Sequence, residues 1–313
     1  YFFPIIYEGN GVGQRVGKFV PFTDNGTIAN SCIFDDGDSA YLSKTYGSAG
    51  TSSKKFTFSC WVKRGFVGND FLTFFNVGAY SGSYFVLGFN SGTYANAIQF
   101  YNWTGSTYTL RRITNRTFED TSKFYHIVVA IDTTQATASD RVKLYVDGDE
   151  ITSFQTSVDP SLNLETLVGS ADSYYVGSDS SNHFDGYLAE VNYVDGQALG
   201  PETFGLTDTS TGRWIPKTLT GITYGTNGFR LTFADSSALG DDLSGNTNDF
   251  TATNLASTDQ TTDSPTQLFN TMGSFSSGVT KAEGNLKITT PSSGSGFEQC
   301  VGQPAFGVRS GKW

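Results

Sequence analysis

The chain has 313 residues, long enough for one large β domain with extensions or for two smaller domains. Glycine (36), tyrosine (16) and phenylalanine (26) are abundant while only 16% of residues are charged, a mix that suits short strands and tight turns and disfavours long helices. A formal net charge of -10 repels phosphate backbones and argues against nucleic-acid binding; no apolar run reaches membrane-spanning length, and no charged-then-apolar leader opens the sequence.

Residues 1–30 are aromatic, Gly-rich and aperiodic, and read as an extended arm. Phe2, Phe3, Ile5, Ile6, Phe19 and Phe22 can bury apolar area there only against something else, which marks the arm as an assembly element. Its G-x-G lacks the preceding strand and following helix of a nucleotide loop. Strand pattern begins near Asn30. "SCIFDDGDSAYLSK" reads as strand, turn and strand, and "KKFTFSCWVKRG" alternates Phe56, Phe58, Cys60 and Val62 inward against Thr57, Ser59, Trp61 and Lys63. "DFLTFFNVG", "SYFVLGFN" and "NAIQFYNW" follow at short spacing. "SKFYHIVVAID" is apolar on both faces and is expected at the centre of a sheet. "RVKLYVDG" ends in Asp147-Gly148, a hairpin signal because a type I′ turn needs positive φ at both central residues. "YYVGS", "FDGYLAEVNYVDGQAL" and "GFRLTF" add three strands, and "DGQALGPETFG" one short helical turn. After Leu255 the texture turns to Ser, Thr and Asp, so residues 31–255 read as the β domain and 256–313 as a linker leading to the start of a further β domain.

Many short antiparallel strands with hardly a helix between them imply an all-β sandwich. Cys32, Cys60 and Cys300 signal neither a disulfide framework nor a zinc site, and Cys60 reads as a small buried apolar residue. His126, inside "FYHIVV", reads as a structural hydrogen-bonder, and His183 lies in a Ser/Asn-rich loop. "DDLSGNTNDF" places Asp242, Ser244, Asn246 and Asn248 at alternating positions, as a calcium loop would, yet it lacks the terminal bidentate Glu; the simpler reading is a polar turn. The same holds for Asp35, Asp36 and Asp38. Arg111, Arg112 and Arg116 in "LRRITNRT" read as a solvated strand face.

The segments "FSCWVKRG", "FYHIVVAIDTT", "VKLYVDGDEI", "YYVGSDSSNHFDGYLAEVNYVDGQAL" and "DDLSGNTNDF", in this order, resemble the laminin-G-like, concanavalin-A-like jelly-roll family over about residues 31–265, and more narrowly its version in bacteriophage tail-fibre and virion structural proteins. "GNLKIT…FGVRSGKW" resembles the opening of a SPRY-type sandwich. The resemblance implies an antiparallel jelly roll, a virion location, partners among other virion proteins and further copies of the chain (a trimer in many such fibres), and a host-surface glycan as ligand. It keeps calcium in view as the one cofactor to consider.

Carbohydrate binding needs aromatic platforms, and Tyr80, Tyr84, Tyr94, Trp103 and Tyr108 stand out as exposed candidates for a glycan or a protein partner; ordinary strand and core aromatics are the competing reading. The fold family also contains glycoside hydrolases, which need two converging carboxyls. Glu190 and Asp195 differ in strand parity and are expected on opposite faces, so no catalysis is expected. Two other settings compete with a virion protein: a secreted carbohydrate-binding module or adhesin, and a glycan-degrading enzyme.

Overall fold

The computed structural model describes residues 26–268 and, beyond them, the strands Thr271–Phe275, Thr280–Ala282, Lys287–Thr289 and Cys300–Gln303. The six apolar arm positions from Phe2 to Phe22 and most of the SPRY-like segment lie outside the described residues. In chain order the strands are β1 (Ser31–Phe34), β2 (Tyr41–Thr45), β3 (Lys55–Arg64), β4 (Leu72–Gly78), β5 (Tyr84–Phe89), β6 (Ala97–Trp103), β7 (Tyr108–Thr117), β8 (Tyr125–Asp132) and β9 (Val142–Val146). They continue with β10 (Asp149–Glu150), β11 (Phe154–Val158), β12 (Ser173–Val176), β13 (Gly186–Asp195), β14 (Gly205–Thr207), β15 (Trp214–Pro216), β16 (Phe229–Leu231), β17 (Thr251–Thr253) and β18 (Gln260–Thr261).

Two eight-stranded antiparallel sheets form a sandwich. The first runs β10-β9-β8-β3-β13-β1-β18, with β16 also on β13; the second runs β11-β7-β6-β5-β4-β12-β2-β17. The alternation in β3 turns Phe56, Phe58, Cys60 and Val62 into the shared core, where Phe58 stacks on Phe75 of β4 at 4.4 Å. Each fully buried aromatic contributes about 1.5–3 kcal/mol of transfer free energy, so this layer dominates the sandwich's stability. β8 is buried along its whole length between β3 and β9, as its two apolar faces require. Asp147 (φ 54°) and Gly148 (φ 87°) form the expected turn between β9 and β10. The short helical turn is Pro201–Thr203. Cys32 and Cys60 are free and buried.

Three features go beyond the sequence reading or depart from it. β1 and β2 do not pair: the "DDGD" turn carries the chain from the first sheet to the second. β13 is bulged between Ala189 and Asn192, with Glu190 at φ 48°. The bulge divides the strand's free edge, so that β1 pairs with its first half and β16 with its second.

The third departure concerns the outer face of the first sheet, which alternation assigns to solvent. Trp61, Tyr187 and Ala189 are covered there by Ile28 and Leu268, and Val128 and Val194 by Phe204 and Tyr224. Lys63, fully buried, is ion-paired to Asp263 at 2.7 Å. The segment that supplies Asp263 also binds the chain entering the domain, because Ser264 Oγ and Thr266 Oγ1 both donate to the Ile28 carbonyl at 2.6 Å. The folded unit therefore starts before residue 31 and extends past 255, through β18 to residue 268.

Candidate functional site

The opposite side of the sandwich, the outer face of the second sheet, carries the aromatic candidates. Cross-strand register sets Tyr84 beside Trp103, and Trp103 beside Tyr108. It likewise sets Val86 beside Tyr101, and Tyr101 beside Arg111. The rings form a continuous chain: Tyr80 to Tyr84 at 4.9 Å, Tyr84 to Tyr101 at 5.6 Å, Tyr101 to Tyr108 at 5.1 Å and Trp103 to Tyr108 at 4.7 Å. The Arg111 guanidinium lies over Tyr108, 4.4 Å from its centroid. Contacts of this kind are favourable beyond the area they bury, so the strip is a preformed surface.

Depth varies along the strip. Tyr84 and Tyr101 are buried at 7% and 6% exposure and make its floor, with their hydroxyls 3.2 Å apart. Burial raises the Tyr101 phenol far above its ordinary value and the Tyr84 phenol less so, so both stay protonated hydrogen-bonding groups at neutral pH. Tyr80 is 49% exposed at the β4–β5 connection, and Trp103, Tyr108 and Arg111 are half-buried. Such rings offer an apolar face and a polar rim, which a sugar ring with its hydroxyls matches.

Four of the five aromatic candidates thus converge, although Tyr84 lies beneath the surface and not on it. Tyr94 does not join them. It sits in the 3-10 turn Gly92–Tyr94 beyond the far ends of β5 and β6, roughly 17 Å along the strands from Tyr84 at about 3.4 Å per residue. Tyr101 was missed, although "QFYNW" places it two residues from Trp103 and hence on the same face. Arg112 corrects the solvated reading of its cluster. It is 4% exposed, donates to the Arg111 and Val158 carbonyls and pairs with Asp159.

A second aromatic group occupies the same face. Tyr41 on β2 lies 6.0 Å from Tyr175 on β12 and 6.0 Å from His183. Tyr175 and Tyr101 are joined by a register row through Asn76 and Val86. Three strand steps separate them, about 14 Å at the usual strand spacing.

The remaining candidates have structural partners. The Asp242 carboxylate accepts four hydrogen bonds, from Arg230 N and Ser244 N at 2.8 Å on Oδ1, and from Ser244 Oγ at 2.8 Å and Asn248 N at 2.9 Å on Oδ2. A carboxylate has about four lone-pair sites, so a calcium ion would have to displace one of these donors. The side chains of Asn246 and Asn248 donate to carbonyls of Gly225, Thr226 and Gly228, which ties the loop to its neighbour as a polar turn does. Among the described residues no group of three or more His, Cys, Asp or Glu side chains is arranged to hold a metal.

Glu190 and Asp195 serve separate places. Glu190 Oε1 accepts from Arg230 Nε at 2.5 Å, and Asp195 accepts the backbone N–H groups of Thr51, Ser52 and Asn227. His126 is fully buried, its Nε2 2.9 Å from Ser59 Oγ, and burial lowers its pKa to about 3.

A family profile described as Concanavalin A-like lectin/glucanases superfamily matches residues 35–203. The chain belongs to this superfamily. The superfamily match ends at the Pro201–Thr203 turn; β14–β18 and most of the outer cover of the first sheet follow it, and Ile28 of that cover precedes it. Among solved structures, a putative carbohydrate binding protein from Bacteroides ovatus is 15% identical, covering 73% of this chain and 60% of that one, with a TM-score of 0.46. Domains LG4-5 of the mouse laminin alpha1 chain are 14% identical over 64% of this chain and 48% of that one (TM-score 0.39). A heptameric SAP-like pentraxin from Limulus polyphemus is 11% identical over 56% of this chain and 79% of that one (TM-score 0.39). A comparison with curated proteins gives no match.

Proposed function

We propose that the chain is a non-catalytic glycan-binding module whose recognition surface is the aromatic strip on the outer face of the second sheet. The observation that carries this reading is the continuous Tyr80–Tyr84–Tyr101–Tyr108–Trp103 ring chain, exposed at Tyr80 and half-exposed at Trp103 and Tyr108. Binding without chemistry is supported by the separate engagements of Glu190 and Asp195.

The test is binding of the full chain to a panel of immobilised glycans. Trp103→Ala and Tyr80→Ala are expected to lower affinity tenfold or more, while Tyr94→Ala leaves it unchanged. Loss at Tyr94 with retention at Trp103 would move the site elsewhere.

As the setting we propose a virion fibre or appendage in which repeated copies gain avidity. Support comes from the order of the phage-like segments and from the emergence of both flanking segments on one side of the domain. A secreted carbohydrate-binding module would use the same surface. Antibody labelling of intact phage particles separates the two: label on an appendage supports the virion setting, and absence of label from particles supports the secreted one.

A further inference from the structure

The strip contains a cation that no carboxylate among the described residues pairs with. Arg111 stands in register beside Tyr101 and rests on the Tyr108 ring. Of its five N–H groups, one donates to Gln99 Oε1, at 3.3 Å, and Nε–H meets no acceptor. No ion pair to Arg111 forms among the described residues. Its neighbour Arg112 is paired with Asp159, and Arg230 with Glu190.

Of the described arginines only Arg112 and Arg230 are ion-paired, so what sets Arg111 apart is its place, half-buried on the aromatic strip with its guanidinium over Tyr108. The Tyr108 face and Gln99 fix the guanidinium plane, so little side-chain entropy remains to be lost on binding.

Resting on the glycan reading above, we propose that the ligand is an acidic saccharide, and that Arg111 takes its ring oxyanion, a carboxylate or a sulfate, through the free Nη donors while an adjoining sugar face stacks on Trp103 or Tyr108. Two parallel N–H donors match either oxyanion, and charge-assisted bonds of this type are about twice as strong as neutral ones.

The experiment compares matched probes on the full chain: oligogalacturonate against its methyl ester, and a sulfated galactan oligosaccharide against its desulfated form. Each acidic probe differs from its partner only in the oxyanion, so the two pairs distinguish carboxylate from sulfate. The wild type is expected to prefer at least one acidic member tenfold or more. Arg111→Gln should erase that preference, lowering affinity for the acidic member at least tenfold more than for its neutral partner, and Arg111→Lys should restore part of it. Equal binding of acidic and neutral members, or an equal loss of both in Arg111→Gln, overturns the inference and leaves the aromatic site standing. Binding of no member of either pair, nor of any glycan on the wider panel, overturns both.

Discussion

The indole N–H of Trp214 donates to Nδ1 of His126 across 2.9 Å. An indole N–H can only donate, so Nδ1 must be the acceptor and the ring proton of neutral His126 resides on Nε2, directed at Ser59 Oγ. The imidazole stacks on Trp61 at 4.6 Å, and Trp214 lies at its edge, nearly coplanar, with ring centroids 5.9 Å apart. Trp214 in turn fits between two glycines, since a Cβ on Gly148 or on Gly205 would come within 2.5 Å of its ring. His126 is thus a fastener between β8 and the β14–β15 hairpin that covers the first sheet.

Trp214→Phe keeps an aromatic ring in this slot but removes the donor. It is expected to cost about 1–3 kcal/mol, the usual penalty for a buried acceptor left unpaired. Chemical denaturation followed by circular dichroism measures it; an unchanged midpoint would show that the hydrogen bond contributes nothing.

Gly205→Ala isolates the steric contact, because Gly148 also has a φ of 87° and Gly205 has no such constraint. Both alanine variants should be destabilised, Gly148→Ala by more, as read from their thermal unfolding midpoints.

The His126 pKa of about 3, set by burial, gives a definite pH dependence. Above about pH 6.5 both folded and unfolded chains hold the ring neutral and this group adds no slope. Between about pH 6.5 and 3 only the unfolded chain takes up the proton, so stability falls as pH falls, by about 1.4 kcal/mol per unit. Below 3 the contribution levels off. Denaturation curves at pH 7, 5 and 4 should show the stability of the wild type relative to His126→Gln falling steadily with pH, because the variant lacks this slope.

Lys63→Met leaves the Asp263 carboxylate buried without its ammonium partner, and is expected to cost about 3–5 kcal/mol. A Lys63→Met, Asp263→Leu double variant should recover much of that loss. Limited proteolysis offers a local readout: cleavage near residues 262–268 should accelerate in the single variant and slow again in the double one.

Asp242→Asn halves the acceptor capacity of a group that now takes four hydrogen bonds. Its melting temperature should drop, and neither chelator nor millimolar calcium should move the midpoint of the wild type. A calcium-dependent rise in the wild type would mean that a cation displaces one of the four donors.

Elements with strictly local causes were legible in the sequence. Asp147-Gly148 makes its turn because its two φ angles are a property of those residues, and β8 is central because both its faces are apolar. Nonlocal causes were not legible. The Glu190 bulge shifts the parity of β13, which no periodicity reports. Lys63 and Trp61 alternate as solvent-facing residues should, and only the arrival of Asp263 and Trp214 from distant segments buries them. Of the strip, Tyr80, Trp103 and Tyr108 could be picked out as loop-proximal aromatics. Arg111 was visible only as part of a basic cluster, since whether an arginine lacks an acid is decided by folding.

The joint of Ser264 and Thr266 with the Ile28 carbonyl brings residues 28 and 264–266 together on the side away from Tyr80 and Trp103. Such a layout lets the domain sit as a side bud on a longer polypeptide, entered and left through one narrow neck. A force applied at residues 28 and 264–266 would load that neck first and leave the Tyr80–Trp103 rings, on the opposite face, unstrained.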